Sequence, residues 1–312
     1  MSWEHQSVLL HEVVAALTPA PEKVYLDCTV GLGGHSEAIL QYPDTHVVAL
    51  DQDGATLAQA RLRLAPYGDR IVFQQVNFAD FDPKGQKFDG ILADLGVSSP
   101  QLDQGERGFS WRFEAPLDMR MDQEGQDLTA ADLINTYSSE DLANIFYEYG
   151  DERNSRRIAR TIVERRPLTT TTQLAELVAR CQRGGYQKIH PATRVFQALR
   201  IAVNREFEAL EQLLQKAPDW LHEGGVLAII SFHSSEDRRV KQQFREDVRL
   251  EVLTRKPIVP TEEERKANPR ARSAKLRCAR RVPPCEEFFP NECCPSSGTR
   301  SPTPSTIPDS RS

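Results

Sequence analysis

The sequence predicts an α/β fold in which a mainly parallel sheet is interrupted by a block of helices. Three observations carry this. Over the first hundred residues, short apolar runs alternate with stretches rich in Ala, Leu and Arg. The runs are largely apolar rather than alternating, as buried parallel strands are. From 128 to 215 Leu, Ala, Glu and Arg dominate at helical spacing with no strand visible, and a strand signal then returns near 226.

Taken in order, Val24 to Asp27, His46 to Leu50, Ile71 to Gln74 and Phe88 to Ala93 read as the first four strands, with Gly54 to Leu64 as one connecting helix. In the block, Ile158, Ile162 and Val163, and then Leu174, Leu177 and Val178, recur at helical spacing. Val226 to Ser231 resumes the sheet after Glu223-Gly224-Gly225, and Leu250 to Leu253 and Ala274 to Cys278 extend it. From Val282 onward, seven prolines in 31 residues cannot bury enough apolar surface to offset chain entropy, so a disordered tail is expected over 282–312.

At 312 residues the chain has room for one large domain or two coupled ones. Hydrophobic residues at 39% and charged residues at 27% exclude a wholly disordered or fibrous chain. The longest aliphatic run, Val226 to Ile230, falls far short of the ~18 apolar residues that suggest a membrane span. Met1 to His5 carry no secretory signal, so a cytoplasmic protein with no membrane partner is expected. Six cysteines in such a length make no disulfide framework. Cys285, Cys293 and Cys294 lack a fourth ligand at zinc spacing, and no metal is expected. The net charge of -6 hides two basic blocks: 12 Lys and Arg against 4 Asp and Glu over 151–205, and 10 against 3 over 255–281. These are either ordinary solvated faces or a phosphate-facing patch.

The first strand runs straight into Asp27-Cys28-Thr29-Val30-Gly31-Leu32-Gly33-Gly34-His35-Ser36. A glycine turn of this kind lets a ligand approach main-chain N–H groups that a Cβ would screen. Ser36 stands where a dinucleotide fingerprint needs its third glycine, and no Gly-Lys-Ser/Thr of a phosphate loop follows. Asp51, after the second strand, is placed to accept both hydroxyls of a ribose. Phe78 follows the third strand, where its ring can pack on an adenine or simply join the core. Asp94 ends the fourth strand, in the crevice where open α/β sheets bind ligands. That order suits an S-adenosylmethionine (AdoMet) methyltransferase better than a nicotinamide dehydrogenase.

Several longer runs are more specific. Gly31 to Ser36, Asp94-Leu95-Gly96-Val97-Ser98-Ser99-Pro100-Gln101-Leu102-Asp103, Arg107-Gly108-Phe109-Ser110, Pro116 to Asp122, His190-Pro191-Ala192-Thr193-Arg194, Ser231-Phe232-His233-Ser234 and Asn268 to Ser273 resemble the RsmH (MraW) family. The resemblance extends from His5 to about Arg281. It implies a class I (Rossmann-like) AdoMet methyltransferase sheet with an inserted helical domain, and methylation of N4 of a cytosine, position 1402 of the decoding centre, in 16S ribosomal RNA. The partner it implies is that rRNA within the small ribosomal subunit. The domains are then 1–112 and 213–281 for the methyltransferase, 113–212 for the insert and 282–312 for the tail. The resemblance further implies AdoMet contacts at Gly33, Gly34, His35, Asp51, Phe78, Asp94 and Gln101.

Asp94 is the candidate for the chemistry, holding the target amine and stabilising the charge that appears on it, unless it only orients the donor. His233 lies beside the same crevice by topology, as a proton relay or a structural residue. Phe109, Trp111 or Phe232 either stacks on an extruded base or packs in the core. Arg153, Arg156, Arg157, Arg160, Arg165 and Arg166, with Arg270, Arg272, Lys275 and Arg277, are the candidates for phosphate contact. The competing readings are a methyltransferase for another nucleic-acid amino group, and an RNA-binding scaffold that retains the pocket without catalysing transfer.

Overall fold

The computed structural model describes residues 7–98, 101–102, 105–182 and 190–283. Strands β1 (Val24–Asp27), β2 (His46–Asp51), β3 (Ile71–Gln75), β4 (Phe88–Asp94), β5 (Leu221–Ser231), β6 (Leu250–Val252) and β7 (Lys275–Arg281) form one seven-stranded sheet in the order β3-β2-β1-β4-β5-β7-β6. Only β7 runs antiparallel to its neighbours. This is the expected class I methyltransferase sheet. β1 pairs with β2 on one side and β4 on the other, so the chain order reverses there and the carboxyl ends of β1 and β4 diverge.

Both faces of the central strands β1, β2, β4 and β5 are covered, which is why these read as largely apolar runs, whereas the edge strand β3 leaves Val72 exposed. On one face lie α1 (Leu10–Leu17), α2 (Gly34–Leu40) and α3 (Gly54–Leu64), whose Val13, Leu17, Ile39, Leu57 and Leu64 pack on Tyr25, Val47 and Ala49. On the other lie α9 (Glu206–Trp220) and α10 (Ser234–Glu246), whose Leu210, Leu213, Trp220, Val240 and Phe244 pack on Leu26, Ile91 and Ile229. Each fully buried Leu or Phe of these layers is worth about 1.5–3 kcal/mol in removed apolar surface. Between β4 and α9 come α4 (Ala130–Thr136), α5 (Ser139–Glu148), α6 (Ser155–Glu164), α7 (Thr171–Cys181) and α8 (Ala192–Asn204), which bury their apolar faces in a cluster of their own from Phe109 to Val203. α4 and α7 start at capping boxes, Thr129 with Asp132 and Thr170 with Gln173.

Three boundaries differ from the sequence reading. The expected junction at 212/213 falls inside α9, whose Leu210 and Leu213 belong to the sheet; the chain turns instead at Arg205, which is left-handed at φ 50°. β5 begins at Leu221 rather than Val226. Leu221 pairs with Phe88 and Val226 with Gly90, so His222 to Gly225 bulge out, with Gly224 at φ 82°. β7 continues to Arg281 because Cys278 and Ala279 are buried against β5 and β6, whereas Arg280 and Arg281 look like a polar run in sequence.

Candidate active site

A cleft of about 1280 Å³, counted to its open mouth, occupies the crevice where the strand order reverses. The loops after β1, β2, β3, β4 and β5 form its walls, with Ser7, Val8 and Arg270 at one edge.

The glycine turn divides its work. Gly31, at φ 53°, lines the cleft, and the nearest atom to a Cβ there would be the Thr29 carbonyl at 3.9 Å, so its backbone is bare to a ligand. Its N–H donates to Asp51 Oδ2 at 3.0 Å. Gly33, at φ 84°, does not line the cleft: a Cβ would sit 2.7 Å from Leu64 Cδ1, so handedness and packing demand glycine there. Gly34 and His35 do line it; His35 Nε2 donates to the Val8 carbonyl at 2.9 Å, and Nδ1 lies 3.8 Å from Asp94 Oδ2.

Three carboxyls meet at the strand ends. Asp27 is buried, accepts from Ser36 Oγ at 2.7 Å and from Thr29 N at 3.1 Å, and is pushed up to about 6 by burial. Asp51 accepts from Gly31 N and, at 2.9 Å, from Asp53 N, yet burial pushes it up to about 7. Asp94 is raised well above the carboxylate range, first by burial and then by the charges of Asp27 and Glu236. Its N–H donates to Thr29 Oγ1 at 2.6 Å, and among the described residues its buried Oδ1 has no hydrogen-bond partner. Phe78 and Asn77 line the wall after β3. Gln101, 5% exposed, also lines the cleft; its Oε1 accepts from Ser98 N at 2.9 Å and its Nε2 donates to Asp53 Oδ2 at 2.8 Å. Ser99, Pro100 and Asp103 lie outside the described residues.

His233 does not line the cleft. It is the N-cap of α10, and the capping pattern with Glu236 turns its ring back, Nε2 lying 2.8 Å from Glu236 Oε1. Glu236, which the sequence reading passed over, is the residue in the wall. Burial pushes its carboxyl up, but His233 and Arg200 outweigh that and hold it below its usual range. Glu206 also lines the cleft, bound by Arg200 through two contacts of 2.8 Å. The signal for Glu236 was there: an acid three residues after the residue that opens a helix completes a capping box.

Of the aromatic candidates, only Phe232 faces the cleft. Phe109 is buried in the helical cluster, and Trp111 stacks on His190 with ring centroids 3.8 Å apart. The basic residues separate as well. Arg153, Arg156, Arg157, Arg160 and Arg165 are exposed, and their side chains make no ion pair or hydrogen bond among the described residues. Arg166 is committed to the carbonyls of Ile134 and Tyr137, while Arg277 and Lys275 are paired with Asp237 at 2.6 and 3.3 Å. Arg272 is exposed, and Arg270 is a cleft residue. Two of the four candidates of the second group, Lys275 and Arg277, are therefore spent within the fold. Cys285, Cys293, Cys294 and the rest of 284–312 lie outside the described residues.

Among the described residues no group of three or more His, Cys, Asp or Glu is placed to hold a metal ion, and no helix is long and apolar enough to cross a membrane. A family model described as the MraW methylase family matches residues 2–282. A protein of Gloeobacter violaceus named ribosomal RNA small subunit methyltransferase H is 65% identical over 283 residues, covering 91% of this chain and 90% of that one. A protein of the same name from a Cyanothece species is 61% identical over 279 residues, covering 89% and 95%. Among solved structures, an rRNA methylase from Streptococcus thermophilus overlays with a TM-score of 0.44 at 10% identity, covering 89% of this chain and 99% of that one.

Proposed function

The chain belongs to the MraW methylase family, and from that premise we propose that it methylates N4 of a cytosine, position 1402, in 16S ribosomal RNA, acting in the cytoplasm on the small ribosomal subunit. A methylase with this sheet takes AdoMet, whose sulfonium supplies an electrophilic methyl group.

The observation that carries the reading is the charge of the cleft. Asp27, Asp51 and Asp94 crowd at one end of the sheet, and burial raises all three. A ligand that brings positive charge relieves this crowding, whereas a pyrophosphate aggravates it. The same acids therefore favour a sulfonium donor over a nicotinamide dinucleotide.

On this reading Asp51 accepts the donor's ribose hydroxyls, Phe78 offers an apolar face to the adenine, and Gly31, Gly34, His35 and Gln101 complete the donor side. Gly33 acts indirectly, by holding the turn. Asp94 belongs to the target. The N4 lone pair is delocalised into the cytosine ring, so the amine has to be held in line and its developing positive charge stabilised. The Asp94 carboxylate does both by accepting one N–H, and then takes the proton that nitrogen must lose. Phe232 supplies the stacking surface for the base once it has left the RNA stack. His233 acts through Glu236, by fixing the wall opposite. The exposed arginines of α6 neutralise phosphates and carry no sequence information.

The test is label transfer from methyl-labelled AdoMet onto naked 16S RNA and onto purified 30S subunits. The proposal expects label in the RNA of at least one of them. Binding of both partners with no transfer would make the protein a scaffold and overturn the reading.

A further inference from the structure

Arg107 has no part in the reading above, yet its guanidinium bridges two parts of the molecule. It is 8% exposed. Nη1 donates to Asp53 Oδ2 at 3.1 Å, and Nη2 donates to the carbonyls of Arg120 and Met121, both at 2.9 Å. On the donor side, Asp53 is 3% exposed, and its Oδ2 also accepts from Gln101 Nε2. Its Oδ1 caps α3 through Ala55 N at 3.0 Å and Thr56 N at 3.3 Å, and its own N–H is held by Asp51. On the other side, Met121 lines the cleft and donates its N–H to Asn204 Oδ1 at 2.8 Å, while Asn204 Nδ2 donates to the Met119 carbonyl at 2.8 Å. Asn204 closes α8, which packs on α5, which packs on α6. One unbroken chain of hydrogen bonds thus runs from Asp51 and Gln101 through Asp53, Arg107 and Met121 to the end of the helical block.

A buried ion pair is a poor stabiliser, because taking both charges out of water costs about as much as their attraction returns. Fixing one arrangement of two parts is the better-attested use of such a pair. We propose that Arg107 is a positioning residue that makes donor binding and rRNA binding mutually dependent; this rests on the function proposed above. A donor held by Asp51 and Gln101 fixes Asp53. Arg107 passes that constraint to the backbone at 120–121, and Asn204 passes it to α8 and the arginine face of α6. RNA on the helical block fixes the same groups from the other end, and each ligand then meets a site the other has already ordered.

The experiment measures the affinity of S-adenosylhomocysteine, which carries no transferable methyl group, with and without 30S subunits that lack the modification. Wild type is expected to bind it at least ~5-fold more tightly in the presence of subunits, the lower end of usual coupling. Arg107→Lys keeps the charge but loses the fork that reaches three acceptors. It should bring the ratio close to one, while affinity without subunits changes far less. The double variant Asp53→Asn with Arg107→Met leaves neither charge buried alone and keeps an acceptor for the α3 cap; it also removes the acceptor of Gln101 Nε2, so its affinity without subunits falls, but its ratio should likewise come close to one. If Arg107 serves stability alone, both variants melt lower but retain the wild-type ratio, and that result overturns the proposal. A wild-type ratio of one in a protein that methylates 30S subunits overturns this inference alone. A wild type that neither binds S-adenosylhomocysteine nor methylates brings down the proposed function, and this inference with it.

Discussion

At Asp51 burial lifts the carboxyl to about 7 although two backbone N–H groups donate to it, and Asp27 moves the same way to about 6. An unfolded Asp titrates near 3.9, so between about 4 and 7 the folded chain holds more protons than the unfolded one. Stability therefore falls as pH rises through that window, and is kept below it. The ligand-free protein is expected to melt lower at pH 8 than at pH 5.5, and AdoMet should raise its Tm more at pH 8, where the carboxylates are charged and meet the sulfonium. A scanning melt at both pH values, with and without donor, checks this; an equal ligand shift at the two would remove the charge argument. Asp94→Asn keeps the shape and removes the charge. Turnover should fall by ~10²–10⁴, the usual span for a positioned acid or base, with a much smaller loss of AdoMet affinity. Equal losses of rate and affinity would reduce Asp94 to a donor contact.

α6 presents Arg156, Arg157 and Arg160 to solvent while Ile158, Ala159 and Ile162 face the cluster beneath. Neutralising the three arginines should flatten the slope of log affinity against log salt by up to ~0.7–0.9 for each phosphate that is no longer paired, without changing which nucleotide is methylated. An unchanged slope on 30S subunits would take α6 off the RNA-binding surface. At the N-terminus of α2, Gly33→Val combines a left-handed φ with the clash at Leu64, so it should cost stability by ~1–3 kcal/mol in denaturant unfolding. Elements such as α3, with Asp53 as cap and Leu57, Ala60 and Leu64 on one face, were legible because local signals and burial agree there. β5 was only half legible: Leu221 joins the sheet through a bulge whose exposed His222 and Glu223 look like a loop in sequence. His233 misled for a related reason. Topology brought it to the right strand end, but a cap with Glu236 decides where its ring points.

Across the whole molecule, the mainly parallel sheet and the crevice at its strand ends followed from the apolar runs and the glycine turn, because a parallel sheet has few ways to connect. Charge distribution was the least legible property. The segment 255–281 is basic in sequence, but Lys275 and Arg277 are neutralised by Asp237 on α10, a pairing across 38 and 40 positions that no local pattern announces. On the function proposed above, the cleft chooses the base and performs the chemistry, and the helical block supplies phosphate affinity. The most direct test is the chemical identity of the product. 30S subunits methylated by the wild-type protein are digested to nucleosides and analysed by mass spectrometry, with the modified nucleotide mapped in parallel. The account predicts N4-methylcytidine at a single position of the 16S RNA; methyl groups on cytosine C5, on adenine or on guanine, or scattered over many positions, would contradict it.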